Sequence, residues 1–143
     1  MAQAIPQLQL KALEVLHAAV SVPQEPNVNI GNFHFNINLD TKADAPNKLL
    51  VLIVQVEIKN EDQQHMLGSL VLSNIFEIAN FEQVITVEYG GNLNVPPQLT
   101  EMLANQAIAT ARGAMFGLFK GTFLHNAVLP LIDMRPQEQQ QGQ

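Results

Sequence analysis

Phe33, Phe35, Ile37 and Leu39 alternate with His34, Asn36, Asn38 and Asp40, and no other feature restricts the fold so tightly. Successive side chains of a strand point to opposite faces, so this period of two makes one apolar face and one wet face. The apolar face needs a second layer to cover it. After a loop across 40–48 that holds Thr41, Asp44, Pro46 and Asn47, residues 49–58 form a second strand pattern. It is solidly apolar to Val54, and then Val54, Val56 and Ile58 alternate with Gln55, Glu57 and Lys59. A polar stretch, Asn60-Glu61-Asp62-Gln63-Gln64, reads as a hairpin turn. Residues 65–79 carry a third pattern through Leu67, Leu70, Leu72, Ile75, Phe76 and Ile78. So short a separation predicts that the last two strands pair antiparallel.

The covering layer is readable further on. Residues 84–95 are ambiguous, broken by a turn at Gly90-Gly91. Pro96-Pro97 then sets up a helix start. Leu99, Met102, Leu103, Gln106, Ala107, Thr110, Ala111, Ala114, Met115 and Leu118 recur at helical spacing, which predicts one helix over about 97–119. Ala109, Gly113 and Gly117 lie four apart on it, a stripe of small residues. Each glycine costs a helix interior about 1 kcal/mol. Either the stripe lets another backbone approach closely, or the helix breaks at Gly113.

Residues 7–22 support two readings equally. Leu8, Lys11, Ala12, Val15 and Ala19 would share a helix face, while Leu8 and Leu10 alternate and the segment ends on β-branched Val20-Ser21-Val22. Pro23 and Pro26 end the element, and residues 27–32 are a turn-rich link. The tail, 135–143, is glutamine-rich without apolar residues and is expected to be disordered, so the folded domain is placed at 1–134.

Several chemistries are excluded. The chain has no cysteine, hence no disulfide, zinc–thiolate site or thiol nucleophile. His17, His34, His65 and His125 are far apart and form no HxxxH or HExxH pattern, so no metal site is expected. The three serines, Ser21, Ser69 and Ser73, lie in no GxSxG elbow. Gly117 to Thr122 has the wrong order and spacing for a phosphate loop. No enzyme and no cofactor are therefore expected. A net charge of −6, with seven scattered basic residues, argues against nucleic acid. No apolar run reaches about 18 residues, so membrane insertion is not expected. No charged segment precedes an apolar one at the start, and the cytoplasm is the expected compartment.

What remains is apolar. Hydrophobic residues are 47% of the chain and charged ones 14%, where about a quarter is usual. That composition predicts either oligomerisation or an exposed apolar binding surface. After Phe116 and Phe119, the segment Phe123, Leu124, Val128, Leu129, Leu131, Ile132 is too apolar for an ordinary loop. It either packs back as core or lines a groove.

The order of these elements, with Lys120-Gly121-Thr122-Phe123 and Leu129-Pro130 after the helix, resembles the SecB export chaperones. That family has an Arg-Gly-Thr-Phe run there and an Ala-Pro shortly after. Asn38-Leu39-Asp40-Thr41 is similar to its Asp-Leu-Asp-Thr strand end, and Ile75-Phe76-Glu77-Ile78 to its Ile-Phe-Ser-Ile. The resemblance spans about residues 8–133 and tips 7–22 towards a strand. It implies an α+β fold, a four-stranded antiparallel sheet with one long helix packed on it. It implies an ATP-independent holdase that binds unfolded polypeptide in hydrophobic grooves, built as a dimer or tetramer. Carried over, Phe35, Ile75, Phe76, Phe123, Leu124 and Leu129 line the groove, with Phe123, Leu124 and Leu129 expected to be partly exposed, and Ala109, Gly113 and Gly117 form the oligomer interface. The chain departs from the family where the motor SecA docks on acidic residues. Ala19, Pro23 and Ser69 stand in those places, and the glutamine-rich end replaces the family's second helix. Weak or absent SecA binding is expected, and the alternative is a dedicated interaction domain without an export role.

Overall fold

The computed structural model describes residues 5–23, 32–87 and 93–130. The turn-rich link at 27–31, the Gly90-Gly91 turn and the tail at 135–143 lie outside these residues. Four strands, β1 (Leu8–Val20), β2 (Phe33–Asp44), β3 (Leu49–Asn60) and β4 (Met66–Ile78), form one antiparallel sheet in the order β1-β4-β3-β2. A helix, α2 (Pro97–Leu118), lies over β3 and β4. Between sheet and helix come a single-turn helix, α1 (Phe81–Val84), and a short ribbon of β5 (Thr86–Val87) with β6 (Leu93–Asn94). This is the α+β architecture that the sequence patterns require, and β3 pairs antiparallel with β4 as expected.

The meander β2–β3–β4 follows from two tight links. One is a 3₁₀ turn at Ala45–Asn47, closed by Lys48 in the left-handed region at φ 60°. The other is the polar turn after Asn60, where Gln63 is also left-handed and Asp62 accepts bonds from the Gln64 and His65 amides. β1 joins at the far side, against β4, where Ser21 N–H donates to Leu67 O.

Register sorts the side chains into faces. Leu50, Leu52, Val54, Val56 and Ile58 of β3 stand beside Phe76, Asn74, Leu72, Leu70 and Gly68 of β4, and this face carries the core. α2 closes it with Leu99, Leu103, Ala107, Ala111 and Met115, a stripe at i+4 spacing. The predicted boundary at residue 119 is one residue long, and the helix runs unbroken through Gly113. Asn74, fully buried, is the one polar side chain in that layer's centre among the described residues. Its amide donates to Leu52 O, and its Oδ1 accepts the Thr110 hydroxyl of α2 at 2.6 Å. The same hydroxyl lies 2.7 Å from Ala107 O, so its single proton is shared between the sheet and its own helix.

The polypeptide after α2 doubles back as a strap over 119–130. Gly121 takes φ +82°, a conformation that glycine adopts without strain. Turns follow from Thr122 N–H to Phe119 O and from Ala127 N–H to Leu124 O. Phe119, Leu124, Ala127 and Leu129 of the strap are buried in the same core as the sheet and helix.

Candidate functional site

The exposed apolar surface gathers in two places. One is a cleft of about 400 Å³ between α2 and the strap. Its floor is Ala109 and Gly113 from the helix and Ala127 from the strap; Phe116 and Val128 stand at its walls, 73% and 58% exposed. Arg112 and His125 complete the lining. Gly113 leaves open space there, since an added Cβ would meet nothing within 4 Å among the described residues.

The strap wall is held by Arg112. Its Nε donates to Leu129 O and its Nη2 to Pro130 O, both at 2.9 Å. Two consecutive carbonyls are thereby tied to the helix, which keeps Val128 facing the cleft's mouth. His125 Nδ1 lies 3.0 Å from Thr122 O. A carbonyl can only accept, so Nδ1 carries the proton and Nε2 of the neutral ring is left as an acceptor.

The second place is β1. It is the sheet's terminal strand, so among the described residues no strand pairs its outer edge, and α2 packs chiefly on β3 and β4. Leu10, Leu13, Val15 and Val20, on the core-side face by register, are therefore exposed, and so is Leu16. Register shifts after Leu10 and after Val15 make Lys11 and Leu16 bulge residues. Bulges and a charged residue are common guards on open edges. Lys11 is itself tied to Glu77 on β4 at 2.9 Å.

The residues expected to line a groove are distributed differently. Phe76, Leu124 and Leu129 are core, with Leu124 at 0% and Leu129 at 2% exposure, rather than partly exposed. The reason is the strap, which folds these leucines under itself against Gly68 and the sheet. Phe35 and Phe123 are half-buried and pack against the core from its rim. Ile75, half-buried, lies on the opposite face of β4 from Phe76, as neighbouring strand residues must. The six therefore do not share one groove. Ala109, Gly113 and Gly117 are all exposed, and neither glycine accommodates a close approach from within the chain. Ala109 and Gly113 enter the cleft, while Gly117 does not.

Arg112 and His125 were not among the residues singled out from sequence. The usable signal was positional: Arg112 precedes Gly113 in the small stripe and sits four before Phe116. Ala19 and Ser69 prove to be direct cross-strand partners on the sheet's outer face, where His17 Nε2 lies 3.1 Å from Ser69 Oγ. Among the described residues no group of three or more His, Asp or Glu is placed to hold a metal, and no helix is long and apolar enough to cross a membrane.

Against known proteins, no family model matches the chain, and no curated protein matches it by sequence. Among solved structures, the chain is similar to the Mycobacterium tuberculosis Rv1957 SecB-like chaperone in complex with a ChAD peptide from the Rv1956 HigA1 antitoxin. The TM-score is 0.54 at 14% identity, over 87% of each chain. A protein of unknown function from Streptococcus agalactiae superposes with a TM-score of 0.35 at 15% identity, covering 82% of this chain and 90% of that one, too weak a likeness to carry an argument. The first likeness shows a SecB-like fold.

Proposed function

We propose that this chain is an ATP-independent, chaperone-like protein that binds extended or unfolded polypeptide. The observation that carries the reading is a pair of apolar surfaces, the α2–strap cleft and β1, that no described residue covers. Burial of client side chains contributes about 25 cal/mol per Å² removed from water, and an open strand edge offers backbone hydrogen bonds that ignore sequence. Both terms suit a client without fixed structure. The SecB-like fold and the peptide held by the Rv1957 chaperone support the same direction. The absence of acidic side chains at Ala19, Pro23 and Ser69 favours clients outside SecA-dependent export. A reduced, carboxymethylated protein that cannot refold should co-elute with the chain in gel filtration, and its native form should not. Equal retention of neither or both would refute the proposal.

A second reading has its own support. Ala109, Gly113 and Gly117 are exposed, and among the described residues nothing beyond the helix's own neighbouring atoms lies within 4 Å of where a Cβ at either glycine would stand, which leaves room for a second copy. On that reading the helix face is an oligomer interface, and the chain is a dedicated interaction domain. Gly113→Leu separates the two. It should lower the assembled mass if the face is a seam, and reduce client binding at unchanged mass if it is the cleft floor.

A further inference from the structure

We propose that the α2–strap cleft selects extended segments in which an apolar side chain stands next to a carboxylate. The inference rests on the polypeptide-binding reading and names the client chemistry that this cleft favours.

Arg112 supplies the charge at this cleft. It is half-buried, and its bonded partners are the carbonyls of Leu129 and Pro130. Among the described residues no carboxylate pairs with it; the ion pairs are Lys11–Glu77 and Asp62–His65. Neutral carbonyls satisfy two of the guanidinium's five N–H groups, and no carboxylate among the described residues balances its charge. The remaining donors belong to a side chain that lines the cleft. A half-buried guanidinium beside apolar walls binds a carboxylate more strongly than an exposed one does, because less water competes there.

The apolar component is set by the same lining. Phe116 and Val128 offer largely exposed hydrophobic faces, and the Gly113 floor admits an inserted side chain. The volume of about 400 Å³ holds a few residues, not a folded surface. His125 Nε2 adds an acceptor for a peptide N–H. The chain's net charge of −6 repels acidic ligands at long range. Preference for a carboxylate would therefore arise from contact with Arg112 alone, and it should survive moderate salt that screens long-range terms.

Three synthetic peptides test this, each capped at both ends and differing at one position: Gly-Ser-Leu-Glu-Phe-Ser-Gly and its Gln and Lys counterparts. Calorimetry against the intact protein should show the Glu peptide binding roughly tenfold tighter than the Gln peptide, the scale of one charge-assisted contact, with the Lys peptide weakest. In Arg112→Gln the Glu preference should fall to near unity. Because that change also loosens the strap, Phe116→Ser provides a second variant at an exposed position: it should weaken all three peptides alike and keep their ratio. Equal binding of Glu and Gln peptides by the native chain would overturn the inference and leave the general reading standing. Failure of every peptide, together with failure of the unfolded client to co-elute, would overturn both. Failure of every peptide with the client still retained would place binding elsewhere and overturn the inference alone.

Discussion

Gly68→Ala probes whether Leu124 is core or groove. Gly68 lies on β4 beneath the strap, and a Cβ there would stand 2.5 Å from Leu124 Cδ1 and 3.2 Å from Ala19 O. Ordinary carbon contacts are about 3.5–4.0 Å, so the leucine must retreat by about 1 Å. Leu124 is 0% exposed, so its side chain must shift within the core rather than into solvent. Overpacking of this kind costs about 1–3 kcal/mol, partly offset by the 0.4–1 kcal/mol that replacing glycine takes from the unfolded state. The net cost is about 0–2.6 kcal/mol, and at about 3 °C per kcal/mol for a chain this size the melting temperature should fall by up to about 8 °C. Leu124→Ala alone should cost about 2–5 kcal/mol through its cavity. The double variant should be no less stable than Leu124→Ala, because the new methyl enters the vacated space. Thermal unfolding followed by circular dichroism at one fixed protein concentration measures all three. Additive losses, or a Leu124→Ala cost below about 1 kcal/mol, would refute the packing and return Leu124 to an exposed groove.

Other outcomes follow from the same structure. Thr110→Val should cost about 1–3 kcal/mol in chemical denaturation by leaving Asn74 Oδ1 buried and unpaired, and Asn74→Leu in the same chain should recover part of it. Leu129→Ala should cost about 2–5 kcal/mol of stability and lower the melting temperature sharply, whereas Val128→Ser, at an exposed wall, should leave stability within about 0.5 kcal/mol. The Gln64 amide and then the His65 side chain hold the Asp62 carboxyl below its usual range. A depressed folded value means that its contribution exists above the unfolded pKa near 3.8 and is lost as pH falls through the folded one. Asp62→Asn should therefore speed amide exchange in the β3–β4 turn at pH 7, and that difference from the parent should vanish in acid.

How much of this was legible in the sequence depends on whether the local period survives. β2 and β3 keep theirs, and β4 does from Gly68 onward after a register shift at Leu67, so Phe35, Val56 and Leu72 could be placed by alternation alone. β1 could not, and its register shows why. The bulges at Lys11 and Leu16 change the phase twice, so the core-side set reads Leu8, Leu10, then Leu13, Val15, then Ala18, Val20. Spacings of three interrupt spacings of two, and the pattern imitates a helix. Alternation also separates Ile75 from Phe76, which a tetrapeptide likeness obscures by carrying both together. Burial of Leu124 and Leu129 depends on where the strap crosses β4, a tertiary fact without local period. The Arg112 clasp joins positions 17 and 18 residues apart by backbone carbonyls, which carry no sequence signal.

The central claim is that uncovered apolar surface on this chain holds non-native polypeptide. A chemically unfolded client diluted into buffer, with light scattering followed in the absence of ATP, tests it most directly. The account predicts that the native protein in molar excess suppresses the rise in scattering. Phe116→Ser with Val128→Ser should protect much less at an unchanged melting temperature. Scattering that rises as fast with the native protein as without it, or full protection by the doubly substituted chain, would contradict the claim.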